Sequence, residues 1–244
     1  MSALGAAFWG GLAAAALPAG ALLAMRARLS SRLTGAIMGF GSGALISSIA
    51  YELVPESKLG HAAGLMALWF FLGALTFFGG DWLIDRYGGA HRKKIDGDRA
   101  AGSGTAIFLG TLLDGVPESL ILGIGLAGGG TIGLAFLVSV FVSNLPEGIA
   151  GTDALLAAGN SRRRVIWMWI ALVGASACAS AAGYVFVIRT PVADGRYASA
   201  FAAGAVLTML SDAMMPEAFE HGGRMVGLLA TLGFLLAAIL SVIS

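Results

Sequence analysis

Charge is scarce in this chain. Only 12% of its 244 residues are Asp, Glu, Lys or Arg, while 57% are hydrophobic, and the mean hydropathy is +0.84. Soluble domains carry about 25% charged residues, so a water-exposed globule is excluded. A net charge of +1 offers no bulk attraction for nucleic acid. The single cysteine, Cys178, rules out an intrachain disulfide, and it lies in the small-residue run Gly174–Gly183, where it reads as helix packing. Histidine is almost missing as well. The one long polar stretch, Asp85–Gly104, holds only His91, which excludes a histidine-cluster metal sensor there. No Lys or Arg precedes Arg26, so the basic start of a cleaved signal peptide is lacking and the first apolar run is expected to be a retained helix.

What is abundant is apolar length. Eight segments are each long enough to span a bilayer: about Leu4–Met25, Leu33–Val54, His61–Ile84, Thr105–Ala127, Ile132–Ala157, Val165–Ile188, Ala198–Phe219 and Met225–Val242. The expected fold is all-α, a single polytopic membrane domain over residues 1–244, with 85–104 as a flexible cytoplasmic loop. Twelve of the fifteen basic residues fall in alternate connections: Arg26, Arg28 and Arg32; Arg86, Arg92, Lys93, Lys94 and Arg99; Arg162, Arg163 and Arg164; and Arg224. Lys58, Arg189 and Arg196 make up the other set. The positive-inside rule puts the first set in the cytoplasm and both termini outside, in what is expected to be the inner (plasma) membrane of a prokaryote.

Four of the six prolines are followed by glutamate inside these runs: Pro55-Glu56, Pro117-Glu118, Pro146-Glu147 and Pro216-Glu217. A proline within a helix strips one hydrogen bond from the carbonyl four residues earlier. A carboxylate at membrane depth costs about 2.5–3.5 kcal/mol on insertion scales. Repeating both defects side by side gathers oxygen ligands where lipid disfavours them, which is the chemistry of a cation path.

In the fourth segment Asp114 and Glu118 are four residues apart and share a helix face, Pro117 frees the carbonyl of Leu113, and Gly115 permits close approach. In the fifth, Ser143, Asn144 and Glu147 share a face, and Pro146 frees the carbonyl of Val142. Three carboxylates, an amide, a hydroxyl and two carbonyls suit a divalent cation and repel an anion. The second segment carries Glu52 and Glu56 at its outer end, and the seventh carries Asp212 and Glu217 at its inner end. Segments 1–3 and 6–8 have opposite orientation, so the pattern is that of an inverted repeat with interrupted helices at corresponding places. The four acids near the two faces read as pathway or vestibule groups.

A Pro-Glu-Gly-type motif in each of segments four and five, on eight helices in a 3+2+3 arrangement with both termini outside, resembles the ZIP (Zrt/Irt-like) family of divalent-metal transporters over essentially the whole chain. The family pattern, His-Asn-x-Pro-Glu-Gly or a close variant, places its first histidine on Asp114, its asparagine on Gly115 and its glutamate on Glu118. In the second motif the histidine falls on Ser143, while Asn144 and Glu147 match. The resemblance implies alternating access for Zn, Fe or Mn as transported substrate, with no resident cofactor. Both motif histidines are replaced, leaving an all-oxygen set that leans toward Mn, Fe(II), Mg or Ca. The family's acidic residue on the sixth helix has no counterpart, because Val165–Ile188 contains no Asp or Glu.

Other classes fit less well. A proton- or cation-conducting channel would need the path open to both sides at once. An intramembrane enzyme using paired acids would lack a nucleophile, since Ser143 has no histidine or lysine in its segment. Gly35, Gly39 and Gly43 read as a packing stripe, at a sliding surface or a homodimer seam. Met209, Met214 and Met215 read as core filler, and His61 and His221 as interfacial residues. Beyond the metal ion, the expected partner is the lipid bilayer.

Overall fold

The computed structural model describes residues 2–27, 29–53, 63–89, 104–127, 134–190 and 196–243. Among these the chain is helical, without a strand. Ten α-helices occur: α1 Ala3–Ala14, α2 Ala16–Arg26, α3 Ser31–Ser48, α4 Ala63–Ile84, α5 Gly104–Ala127, α6 Leu134–Ala157, α7 Arg162–Arg189, α8 Arg196–Met209, α9 Met215–Gly222 and α10 Met225–Ile243. They compose eight helices long and apolar enough to cross a membrane, with α1 and α2 forming the first and α8 and α9 the seventh. Large apolar side chains such as Phe71, Leu228 and Leu235 stay exposed on their outer faces, as lipid contact requires.

The breaks have local causes. Pro18 cannot donate to the carbonyl of Ala14, and the first span is interrupted at Ala15, whose N–H turns back to Leu12. A wider π-helical turn, Ile49–Leu53, ends span two, and another, Leu210–Met214, joins α8 to α9 within span seven, each ending two residues before a proline. In the second of these the Met215 N–H reaches back five residues to Leu210, a rearrangement that accommodates a disturbed ladder beside Pro216. The turn Asp85–Gly89 is also π-helical. Helix therefore extends past the expected start of the cytoplasmic loop at residue 85, and Arg86 lies 3.6 Å over the Trp82 ring. The rest of that loop, with His91, lies outside the described residues, as do Pro55, Lys58 and His61.

Glycine organises the packing. In four helix pairs a glycine on each member presses the partner's backbone carbonyl so closely that a Cβ would overlap it. The contacts are Gly20 on Leu145 and Gly148 on Leu17, Gly123 on Ser180 and Gly183 on Leu120, Gly43 on Ala230 and Gly233 on Phe40, and Gly73 on Phe201 and Gly204 on Phe70. In each pair the contacted carbonyl lies three residues before the partner's own glycine, so the two contacts are reciprocal. The pairs join spans one and five (α2 with α6), four and six (α5 with α7), two and eight (α3 with α10), and three and seven (α4 with α8). Each partner is an even number of crossings from the other, so the paired spans run the same way through a membrane. Close backbone approach of this kind permits Cα–H···O contacts, each worth about 0.5–1 kcal/mol.

The stripe of Gly35, Gly39 and Gly43 meets Gly222, Val226 and Ala230 of the same chain. It is an internal packing surface, and a homodimer would need another face. The pairs are joined through α1 against α7, α3 against α9, and two further seams. At one, Gly41 of α3 lies against the Ser143 backbone of α6 (2.8 Å from a Cβ position to Cα), and the hydroxyls of Ser48 and Ser139 are 3.1 Å apart. At the other, α5 meets α8.

Candidate functional site

The five residues singled out on the fourth and fifth spans are all in the bundle interior. Asp114 and Glu118 are each 2% exposed, Glu147 5%, Asn144 4% and Ser143 0%. Their helices carry Pro117 and Pro146 without breaking, so the missing N–H donors leave the Leu113 and Val142 carbonyls short of their usual helical partners inside a protein-lined space.

Individual positions are set by neighbours. The Ser143 hydroxyl donates to the Val140 carbonyl (3.0 Å) and its backbone abuts Gly41, fixing it at the α3–α6 seam. The Asn144 amide donates to the Ala13 carbonyl at 3.4 Å, next to the break in the first span, which leaves its side-chain oxygen as a neutral acceptor. Gly115 faces the Ser176 hydroxyl and Leu172 of α7 at ordinary contact distances. Nearby, Trp169 donates to Thr152 (2.9 Å), pinning α7 to α6. Helices α5 and α6 do touch, but the closest approaches of each are to other helices.

The expected pathway residues separate into different environments. Asp212 is exposed in the turn Leu210–Met214. Glu52 lies in the turn Ile49–Leu53, and Glu56 lies outside the described residues. Glu217, read as a pathway or vestibule group, is only 7% exposed, because Gly35 and Gly222 let α3 and α9 close tightly beside it.

Glu217 also has neighbours that the sequence reading did not assign to a site. Ligand atoms of Glu217, Glu220 and His221 all lie within 4.8 Å of one another, the one such trio of His, Cys, Asp or Glu among the described residues. The His221 Nδ1 is 3.2 Å from a Glu217 carboxylate oxygen and equally far from the Glu217 backbone carbonyl. The i, i+3, i+4 spacing that makes this trio was visible in the sequence. Asp114, Glu118 and Glu147 are buried but are not drawn into so tight a group.

Eight spanning-length helices with acids buried among them define a polytopic membrane protein of the transporter or channel class. The chain matches no protein-family model, and no curated protein matches it.

Proposed function

We propose that this protein transports divalent metal ions by alternating access, the ion being held midway by Asp114, Glu118, Ser143, Asn144 and Glu147. The observation that carries the reading is the burial of three carboxylates, on two proline-bearing helices, inside a bundle of spanning length. Isolated in a membrane such groups are disfavoured, and a dication compensates them. Without an ion, like charges repel. The metal is then what draws α5 and α6 together, its hydration shell replaced by carboxylate, amide and hydroxyl oxygens and the Leu113 and Val142 carbonyls.

The helix pairing supports an inverted repeat. Exchanging spans one, two and three for six, seven and eight, and four for five, leaves the set of four glycine-packed pairs unchanged: one with five becomes six with four, and two with eight becomes seven with three. The seam of two with five becomes seven with four, and both are present. A chain whose halves have interchangeable surroundings has two shapes of similar energy, open to opposite sides. The motif resemblance to ZIP transporters supports the same class, with Zn, Fe and Mn as candidate substrates. Glu217, Glu220 and His221 then form a stepping point near the face carrying Arg26 and Arg162–Arg164, which the positive-inside rule makes cytoplasmic, with both termini outside.

The decisive experiment is metal analysis of purified protein equilibrated separately with Zn, Mn, Fe(II) and Cd, together with uptake into vesicles. Wild type is expected to retain and transport at least one of these ions. Glu118→Ala and Glu147→Ala, while inserted and monodisperse, are expected to lose mid-membrane binding and uptake. Undiminished uptake by both variants refutes the proposed site, and flux that persists in both directions without saturation supports a channel instead.

A further inference from the structure

Beside Ser143, the seam between α3 and α6 is closed twice. One closure is the approach of Gly41 to the Ser143 backbone. The other is a hydrogen bond between the hydroxyls of Ser48 and Ser139 at 3.1 Å, in which either can donate. Ser139 lies one helical turn before Ser143, and Ser48 is the last residue of α3. Both therefore sit on the side of Ser143 away from Arg26 and Arg162–Arg164, the outer side on the positive-inside assignment. Ser48 is 0% and Ser139 1% exposed, so the bond is shielded from water, where hydrogen bonds gain strength. It ties one glycine-packed pair, α2 with α6, to another, α3 with α10.

The other half of the chain has no such bond at the matching place. Span seven repeats span two at a constant spacing. Phe40 and Gly43 correspond to Phe201 and Gly204 in the glycine contacts, and Pro55-Glu56 corresponds to Pro216-Glu217. This register puts Met209 where span two has Ser48. Laying the Pro-Glu motif of span five on that of span four puts Gly110 where span five has Ser139. Neither Met209 nor Gly110 carries a hydroxyl. The seam of α3 with α6 thus has a polar fastening that the seam of α5 with α8 lacks at the corresponding positions.

We infer that the Ser48–Ser139 pair is a latch that holds the outer side of the proposed metal site shut. The inference rests on the alternating-access reading above. A chain with two shapes of similar energy is tipped by a bond that exists in only one of them. Opening on the outer side parts α3 from α6 and breaks this bond, whereas opening on the other side leaves it intact. The latch therefore biases the chain toward the shape closed to the outside.

Reporter thiols test this without metal. Cys178 is the sole native cysteine, so a Cys178→Ser background accepts one new thiol at a time. Ser143→Cys reports on the seam, and Ala218→Cys, buried on α9 toward the opposite face, is the control. Oriented vesicles are treated with a membrane-impermeant thiosulfonate from the outer side for the first reporter and from the cytoplasmic side for the second. Ser48→Ala and Ser139→Ala are each expected to speed labelling of Ser143→Cys about fivefold, the effect of one interhelical hydrogen bond. Labelling of Ala218→Cys is expected to stay unchanged. The double variant should label no faster than either single one, since the same bond is lost. Val140→Cys, also buried, replaces Ser143→Cys should that protein misfold. An unchanged rate at the seam, an equal rise at both reporters, or a further rise in the double variant overturns the latch. Absent metal uptake by wild type would instead refute the transport reading, so the two failures are told apart.

Discussion

The Asn144 side-chain amide donates to the backbone carbonyl of Ala13, 131 residues earlier, at 3.4 Å. That carbonyl stands beside the Ala15 break, so a candidate ligand residue on the fifth span is tied to the weak point of the first. Gly148, four residues after Asn144, lies against the Leu17 carbonyl in the same pair of spans. Local structure in span one and the position of the site on span five are therefore set by one contact surface.

Asn144→Ala removes this tether and, at the proposed metal site, a neutral ligand that water can replace. Uptake is expected to fall several-fold, well short of the loss in Glu118→Ala. The thermal midpoint in detergent should drop by an amount matching about 0.6–2 kcal/mol for one interhelical hydrogen bond. Wild-type stability in the variant would show that the tether carries no weight.

The glycine pairs give a prediction with a built-in control on one helix. Gly123 presses the Ser180 carbonyl, whereas nothing lies within 4 Å of a Cβ at Gly125. Gly123→Ala should force α5 away from α7 and destabilise the protein by about 1–3 kcal/mol. Gly125→Ala should be neutral or stabilising by up to about 1 kcal/mol, since alanine costs less backbone entropy in a helix. Equal melting temperatures for the two variants would contradict the close packing described.

Much of this architecture can be read from the sequence because lipid leaves few alternatives. An apolar run of spanning length has to be helical, and the eight runs needed no tertiary information. Burial of Asp114, Glu118 and Glu147 follows from the same constraint, as acids in such runs turn away from lipid. The reciprocal glycine contacts were not legible, because Gly123 looks like Gly125 until the partner helix is known. Pro18 carried the signal for the break at Ala15, but a proline near the end of an apolar run fits an unbroken helix equally well. The burial of Glu217 was not legible for a related reason. Its place near a helix end indicates solvent, while the burial comes from Gly35 and Gly222 on surfaces brought together only by folding. His221, read as interfacial, belongs with Glu217 and Glu220 through spacing that takes on meaning once the burial of Glu217 is known.

Ligand replacement tests whether positions 114 and 143 face the ion. Asp114→His together with Ser143→His introduces two imidazoles into an otherwise all-oxygen set. Zinc affinity is expected to rise relative to manganese by tenfold or more, because nitrogen ligands favour zinc. The measurement is competitive binding of the two ions to purified protein. An unchanged affinity ratio would place both side chains away from the path.

Protons offer the most direct probe of how the buried acids work. Asp114, Glu118 and Glu147 share a poorly hydrated interior, where a carboxylate is stabilised either by a proton or by a cation. If these acids hold the ion as proposed, metal and proton compete for the same oxygens, and binding the one is expected to release the other. Metal affinity is expected to weaken as pH falls, because each proton that must leave opposes binding. Calorimetry of metal binding in buffers of different ionisation enthalpy counts those protons, and the count should drop in Glu118→Gln, which retains shape but holds no exchangeable acid proton. Protons released on binding would let the proposed mid-membrane carboxylates couple metal movement one way to proton movement the other without a separate proton site. A count of zero from mildly acidic to neutral pH would break that linkage and leave passive metal diffusion through the same site.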